Sequence, residues 1–395
     1  MFNILFISSD DNYFVENTPS FYRMYKNLHH FYKHQDYNVI VLQPRRGKNH
    51  EDKTLKENII SYYFKEISFL RIRLIHFTDF NPFFITKIIK IIKKHKIDLI
   101  HVDYPYGINI IRMLTKTPIS YNAYNVEAFF WKQIVKLYHK MPIFLRSLYA
   151  KYIYVMEKFA IKSATNINAI SFYDQKLFIK TYKIHNNKIF ENRMGLNEEI
   201  FSNPQSQKNA RLKLNVKKNQ FVVIFHGSYY NNLPNREAIN IIKEKIVPQV
   251  NDEEILFLIA GNMPFFKSKK NLRFLGFVHN LPSFLYSADV AIIPIFKGSG
   301  IKIKIVDYLS SRIPVILTKQ AAKGLHLKSG VHGYIVSDEN PIDEMVDKIL
   351  ELKNDSLKVK EIKNNILYLL ENEYDWDKIL IALEERYRNI INRYI

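Results

Sequence analysis

The chain has 395 residues, 47% of them hydrophobic, with no cysteine and a formal net charge of +20. That length exceeds one ordinary core, so two domains are expected, and the hydrophobic content excludes a disordered chain. The lack of cysteine excludes disulfides and thiolate-held metal, and no run approaches the roughly 18 apolar residues that would span a bilayer. The charge is uneven: residues 1–200 carry 30 basic against 17 acidic residues, and residues 201–395 carry 28 against 21. Such a field favours anionic partners, although a general lysine bias raises the charge with no partner implied.

The opening MFNILFISSDD lacks a basic leader and runs into acids, so it reads as a first strand over Phe2–Ser8, not a signal peptide. A polar loop from Ser9 to Thr18 follows. Thr18-Pro19-Ser20 marks a helix start, with the helix running to about His34. Strands are expected at Asn38–Leu42, Ile97–Val102 and Ile119–Asn122, with a helix over Phe83–Ile92 between the first two. Strands alternating with helices point to a doubly wound parallel sheet.

From Phe129 to Lys188 the chain turns aromatic and basic, with only Glu157 and Asp174 opposing. Two readings stand for this stretch: core helices with solvated lysine faces, or a helical surface that lies on an anionic membrane. No nucleic-acid motif accompanies it, so nucleic acid is not an expected partner. Asn197 to Gln220 is polar and is the expected domain junction. The boundaries read from the sequence are 1–202, 203–374, and a closing amphipathic helix over 375–395 that returns to the first domain.

The βα rhythm restarts at Phe221–Phe225, followed by a helix over Asn235–Val247 and strands at Glu254–Ala260 and Leu272–Leu275. The densest stretch is IIPIFKGSGIKIKIVDYLSSRIPVILT, from Ile292 to Thr318. Val290–Ile295 and Pro314–Leu317 read as buried strands flanking the loop Gly298-Ser299-Gly300 and a helix through Tyr308 and Leu309. A small-residue loop opening a helix presents backbone N–H groups and a positive dipole end, which suits a phosphate. Lys302 and Lys304 add two cations there. An ordinary turn with two solvated lysines is the alternative.

Motifs in a fixed order now accumulate. His226-Gly227-Ser228 precedes Pro234-Asn235-Arg236-Glu237-Ala238; Ile259-Ala260-Gly261, Phe274-Leu275-Gly276-Phe277-Val278 and Ala288-Asp289-Val290 follow. After the glycine loop come Ile313-Pro314-Val315, Lys323-Gly324-Leu325 and Gly333-Tyr334-Ile335-Val336. The first domain contributes Asn125-Val126-Glu127, Ala169-Ile170-Ser171-Phe172-Tyr173-Asp174 and Met194-Gly195-Leu196-Asn197. In this order the chain resembles a retaining glycosyltransferase of the "glycosyl transferases group 1" (family 4-like) type.

The resemblance implies the α/β GT-B fold: two Rossmann-like domains facing across a cleft. It implies a UDP- or GDP-sugar donor on the second domain, and an acceptor, a lipid-linked or envelope glycan, on the first. It also implies retention of configuration with no metal and no cofactor. Carried over by position, the donor-binding residues are Gly227, Phe277, Val278, Gly298, Ser299, Gly300, Ile301, Lys302, Lys304 and Asp307. Tyr124, Asn125 and Glu127 fall on the acceptor side, as the catalytic candidates. The chain departs from the pattern in four places. The family's two glutamates, with seven residues between them, are here Ser299 and Asp307, and the basic residue before the Asn is Pro234. The family's histidine before Asn125 is Tyr124, and its first glycine pair is replaced by Ser8-Ser9-Asp10-Asp11. A non-catalytic nucleotide- or anion-binding protein on a degenerate GT-B fold is therefore the alternative.

Asp375-Trp376-Asp377 has a metal–nucleotide form but opens a predicted helix, where Asp is favoured as a cap. The histidines show no ligand pair beyond His29-His30, which face apart on a helix, so no metal site is expected. The expected location is the cytoplasm, as a peripheral protein on the inner face of the cytoplasmic membrane.

Overall fold

The computed structural model describes residues 1–9, 13–14, 22–45, 53–56, 58–69, 72–73, 75–134, 142–230, 232–298 and 300–394. It divides into two units, residues 1–194 with 376–395, and residues 195–375. The divisions expected from the sequence lay after 202 and 374.

In the first unit the strands are Phe2–Ser8 (β1), Tyr37–Pro44 (β2), Lys53–Lys56 (β3), Ile59–Phe64 (β4), Leu99–Asp103 (β5), Ile119–Asn122 (β6), Asn166–Ala169 (β7) and Ile189–Glu191 (β8). From Ile4 to Ser8 every side chain of β1 is buried. A strand buried on both faces belongs at the centre of a parallel sheet. The order is accordingly β8-β7-β6-β5-β1-β2-β4-β3, with only the β3–β4 pair antiparallel. The order reverses between β1 and β5, which makes their carboxyl ends the crevice where ligands bind in such sheets.

The helices that matter for the site are Tyr22–Lys33 (α1), Pro82–Lys94 (α2), Glu127–Ile134 (α3), Ile143–Ser163 (α4) and Phe172–Tyr182 (α5). The start expected for α1 at Thr18-Pro19-Ser20 lies outside the described residues. α2 begins where Pro82 follows Asn81, whose Oδ1 accepts from the N–H groups of Phe83 and Phe84 at 3.0 and 3.3 Å. That Asn-Pro start was legible but unused. The stretch from Phe129 to Lys188 is not two helices alone, because β7 runs through it.

The closing helix Trp376–Tyr394 belongs to the first unit. Its Tyr387 is fully buried, stacked on Phe31 with ring centroids 5.3 Å apart. The Tyr387 hydroxyl lies 2.6 Å from His101 Nδ1 and accepts from Ser120 Oγ at 3.0 Å.

The second unit is a six-stranded parallel sheet of Phe221–His226 (β9), Ile255–Ala260 (β10), Leu272–Gly276 (β11), Val290–Ile293 (β12), Val315–Thr318 (β13) and Gly333–Val336 (β14), ordered β11-β10-β9-β12-β13-β14. All of β10 and β12 is buried. The expected helix Asn235–Val247 starts earlier, at Leu233, with Asn232 Oδ1 accepting from Asn235 N–H at 3.0 Å. It widens into a π turn over Ile242–Ile246 just before Pro248, whose ring and missing N–H bar a regular continuation. The helix after the glycine loop is Ile303–Ser310 (α6).

Candidate functional site

The second unit's order reverses between β9 and β12, and the glycines that follow these strands carry the candidate donor site. A side chain at Gly227 would force Lys304 and Asn235 to shift. A Cβ there would lie 2.6 Å from Lys304 Nζ and 2.8 Å from Asn235 Cγ. Gly298 and Gly300 have φ of 111° and 66°, left-handed values that favour glycine. Ser299 between them lies outside the described residues. Gly298 is fastened from one side by Gln320, whose Nε2 donates to its carbonyl at 2.5 Å. Pro234 flanks it on another, 3.4 Å from where a Cβ would stand. α6 opens with no side-chain cap and no acid in its first turn, leaving its first N–H groups to a ligand or water.

The two lysines do different things. Lys302 stands at the cap position of α6, its Nζ donating to the Gly300 carbonyl at 2.8 Å. Lys304 points under the β9 loop. Its Nζ donates to the His226 carbonyl and to Asn235 Oδ1, both at 2.6 Å, and lies 4.3 Å from the centre of the Phe225 ring. Burial, with Lys302 close by, brings its ammonium down to about 7. The structure therefore uses Lys304 to hold the Gly227 turn against Asn235. Asn235 was legible only as a motif letter.

Asp307 is 5% exposed, and its Oδ1 accepts from Asn197 Nδ2 at 2.8 Å. Burial lifts its carboxyl to about 6. His226 Nε2 is 3.8 Å from Asp307 Oδ2, and burial pushes the imidazole down to about 3, so it stays neutral. Tyr308 OH accepts from His226 N–H at 2.9 Å. The structure thus gathers Gly227, Gly298, Gly300, Lys302 and Lys304 with Asn235, and Asp307 with His226 and Asn197. Ile301 is half-buried at the loop's end. Phe277 is exposed and Val278 half-buried just past β11, two strands from β9.

In the first unit, Tyr124, Asn125 and Glu127 stand beyond the carboxyl end of β6. Tyr124 OH donates to Asp103 Oδ1 at 3.0 Å, and its ring stacks on Tyr104 at 4.9 Å. Tyr104, the residue after β5, has φ of 68°, unusual for a side chain of that size. Burial works against the charge of Asp103, but His101 and the surrounding donors hold its carboxyl below the usual range. A residue the sequence reading passed over fixes this corner. Arg23 on α1 is fully buried, donating to Asn122 Oδ1 at 2.7 Å and the Ala123 carbonyl at 3.0 Å, with its guanidinium 4.9 Å from the Tyr124 ring. An arginine among the apolar positions of α1 was the available signal.

Glu127 is 3% exposed in the first turn of α3. Its Oε2 accepts from Tyr106 OH at 2.6 Å and from Trp131 Nε1 at 3.0 Å. Burial, with the carboxylate of Glu157 nearby, pushes Glu127 up to about 7. Glu157 caps α3, accepting from the N–H groups of Glu127 and Ala128 at 2.9 Å each.

The metal-type ligands give one addition to the sequence reading. His30 near the end of α1 and His34 just past it meet Glu384, with ligand atoms all within 4.8 Å of one another. His30 Nε2 is 2.7 Å from Glu384 Oε2, while Glu384 Oε1 accepts from Tyr37 OH and Arg388 Nε at 2.9 and 3.0 Å. The group reads as a hydrogen-bonded clasp between α1 and the closing helix. Asp377 lies in that helix's first turn.

Two doubly wound parallel-sheet units, with a glycine loop and an uncapped helix start at the second unit's reversal point, are the elements of the GT-B fold. Residues 220–355 match the family model "Glycosyl transferases group 1", and residues 23–191 match that of "Glycosyltransferase Family 4". The chain belongs to the group 1 glycosyltransferases. It is 24% identical over 297 residues, 70% of this chain and 73% of the relative, to the Escherichia coli UDP-Gal:alpha-D-GlcNAc-diphosphoundecaprenol alpha-1,3-galactosyltransferase. Among solved structures it resembles the sucrose-phosphate synthase of Thermosynechococcus elongatus (TM-score 0.72, 14% identity, all of both chains). It also resembles Anabaena HepE in complex with UDP-glucose (TM-score 0.68, 17% identity, 98% of this chain and 100% of that one).

Proposed function

We propose that this glycosyltransferase moves a hexose from a UDP-sugar to a lipid-linked envelope glycan, with retention of configuration and without a metal ion or other cofactor. The observation that carries the donor half is the turn at Gly298 and Gly300 opening onto the uncapped start of α6. A leaving diphosphate gains charge in the transition state, and fixed N–H groups with Lys302 beside them stabilise that charge. UDP is preferred over GDP because HepE is solved with UDP-glucose and the E. coli relative is named for UDP-Gal.

The acceptor half draws on the diphosphoundecaprenol in that relative's name and on the first unit's surface. Among the described residues no helix is long and apolar enough to cross a membrane. α4 nevertheless exposes Ile143, Phe144 and Leu148 at its start, with Lys151 and Lys158 further along. Such a surface supports reversible docking on an anionic leaflet, at the inner face of the cytoplasmic membrane.

The test is a thermal-shift and calorimetric panel of UDP, GDP and their sugars, followed by NMR of the product's anomeric configuration. Stabilisation by UDP compounds and a retained anomer support the reading; GDP preference or inversion sinks the corresponding part. The second reading, a non-catalytic nucleotide-binding protein, is favoured by Ser299 in place of the first glutamate and by the engagement of Asp307 with Asn197. It predicts UDP binding without turnover.

A further inference from the structure

A cavity of about 550 Å³ opens in the first unit between one face of the closing helix and the edge strands β7 and β8. Asn166, Phe190, Glu385, Arg386, Asn389 and Arg393 are among the residues that line it. Asn166 is the first residue of β7, whereas Tyr124, Asn125 and Glu127 stand beyond the carboxyl end of β6, which runs parallel to it. The cavity therefore lies at the other end of these strands from the candidate acceptor residues.

Two of its groups lack the partners that burial calls for. Asn166 is 2% exposed, and its Nδ2 donates to Asn168 Oδ1 at 3.0 Å. Its own Oδ1 is buried with no hydrogen-bond partner among the described residues, which leaves room for a donor. Arg386 is half-buried, and burial brings its guanidinium down to about 10. Its contacts among the described residues are neutral: Asn168 Oδ1 at 3.2 Å, and the Phe190 ring, whose centre is 4.0 Å away. An arginine drawn from water without a carboxylate is an uncompensated charge. Arg393 adds a second guanidinium at the exposed rim, and among the described residues neither arginine pairs with Glu385.

We propose that this cavity is a second ligand site, for a small anionic sugar whose acid group lies on Arg386 and Arg393 and whose hydroxyl donates to Asn166 Oδ1. A neutral sugar leaves the half-buried guanidinium without its counter-charge. A bare inorganic anion fills a small part of a space that is in the range of small-molecule sites. A simple aliphatic acid answers the arginines and leaves Asn166 Oδ1 unmet. A phosphorylated or carboxylated monosaccharide meets both groups, and the amide of Asn389, which donates and accepts, suits its remaining hydroxyls.

The test is titration calorimetry of the full chain with glucose 6-phosphate and with glucuronate, against glucose and inorganic phosphate. At least one of the two anionic sugars is expected to bind tenfold or more tightly than glucose or phosphate, and which one does so tells a phosphate from a carboxylate. The variant Arg386→Gln/Arg393→Gln is expected to weaken that binding roughly tenfold or more. Should the double variant melt lower than wild type, Arg393→Gln, at an exposed position, carries the comparison. Anionic sugars that bind no more tightly than glucose or phosphate overturn the proposal, as does a variant that binds them as tightly as wild type.

Discussion

Asn197 Nδ2 donates to Asp307 Oδ1 at 2.8 Å, and this bond ties the loop that opens the second unit to the helix behind the donor loop. The Asn197 backbone N–H also donates to Ser310 Oγ at 2.9 Å on the same helix. A residue at the unit's first turn therefore sets where the carboxylate points. A shift of the chain at Gly195 would be felt at Asp307.

The Asp307 carboxyl, lifted by burial from 3.8 to about 6, makes the fold pH-dependent in a definite direction. Its folded-state pKa is raised, so the folded state holds the proton more readily than the unfolded chain, and stability falls as pH rises from about 4 through about 6. Asp307→Asn keeps an acceptor for Asn197 and removes the charge. Relative to wild type it should gain stability across that window, on the order of 2–3 kcal/mol by neutral pH, and little at the acid end. Denaturant melts at about pH 4 and pH 7.5 check this; a variant-to-wild-type difference that does not change with pH refutes it.

Lys304→Ala should lower both donor affinity and the melting temperature. From sequence the lysine looked like a free cation beside the loop, which would have left stability untouched. In the fold it holds Asn235 and the His226 carbonyl. Removing it strands buried acceptors at about 1–3 kcal/mol, several degrees for a unit of this size. An unchanged melting temperature with weakened UDP binding would restore the simpler view.

What was legible and what was not divides along physical lines. The strands buried on both faces, such as Phe2–Ser8 with its run Ile4-Leu5-Phe6-Ile7, announce themselves as apolar runs, and there the expected and observed spans coincide. Short or polar strands such as Asn166–Ala169 do not, because their burial comes from neighbours in the sheet and not from their own composition. The glycine loop was legible because backbone geometry forces its residue types. The inward turn of Lys304, the burial of Arg23 and the His30–His34–Glu384 clasp were not, since each depends on partners distant in sequence or on packing that spacing does not encode.

Glu127→Gln and Glu127→Ala should part company. Glutamine keeps a carbonyl for Tyr106 OH and Trp131 Nε1, whereas alanine leaves two donors unmet in a buried place, at about 1–3 kcal/mol. The alanine variant is expected to melt several degrees lower than the glutamine variant. If the glutamine variant keeps its stability but loses turnover with acceptor, the carboxylate acts on substrate. If it keeps both, Glu127 only positions its two aromatic neighbours.

The last prediction concerns the exposed start of α4. The protein is expected to co-sediment with vesicles containing anionic lipid and not with neutral ones. The support is a first half richer in basic residues and an apolar strip, Ile143, Phe144 and Leu148, on a helix that carries Lys151 and Lys158. Each lysine near an anionic leaflet contributes about 1 kcal/mol within a Debye length, so a handful gives reversible docking, and roughly 0.5 M salt should release it. Phe144→Glu and Leu148→Glu sit at exposed positions, so the fold should tolerate them. Each should cut vesicle binding while leaving UDP binding unchanged. The competing account, in which the lysines are merely solvated, predicts equal and negligible binding to both vesicle types. That outcome would leave the chain with an acceptor it meets away from the membrane, and the apolar strip of α4 with no bilayer to cover it.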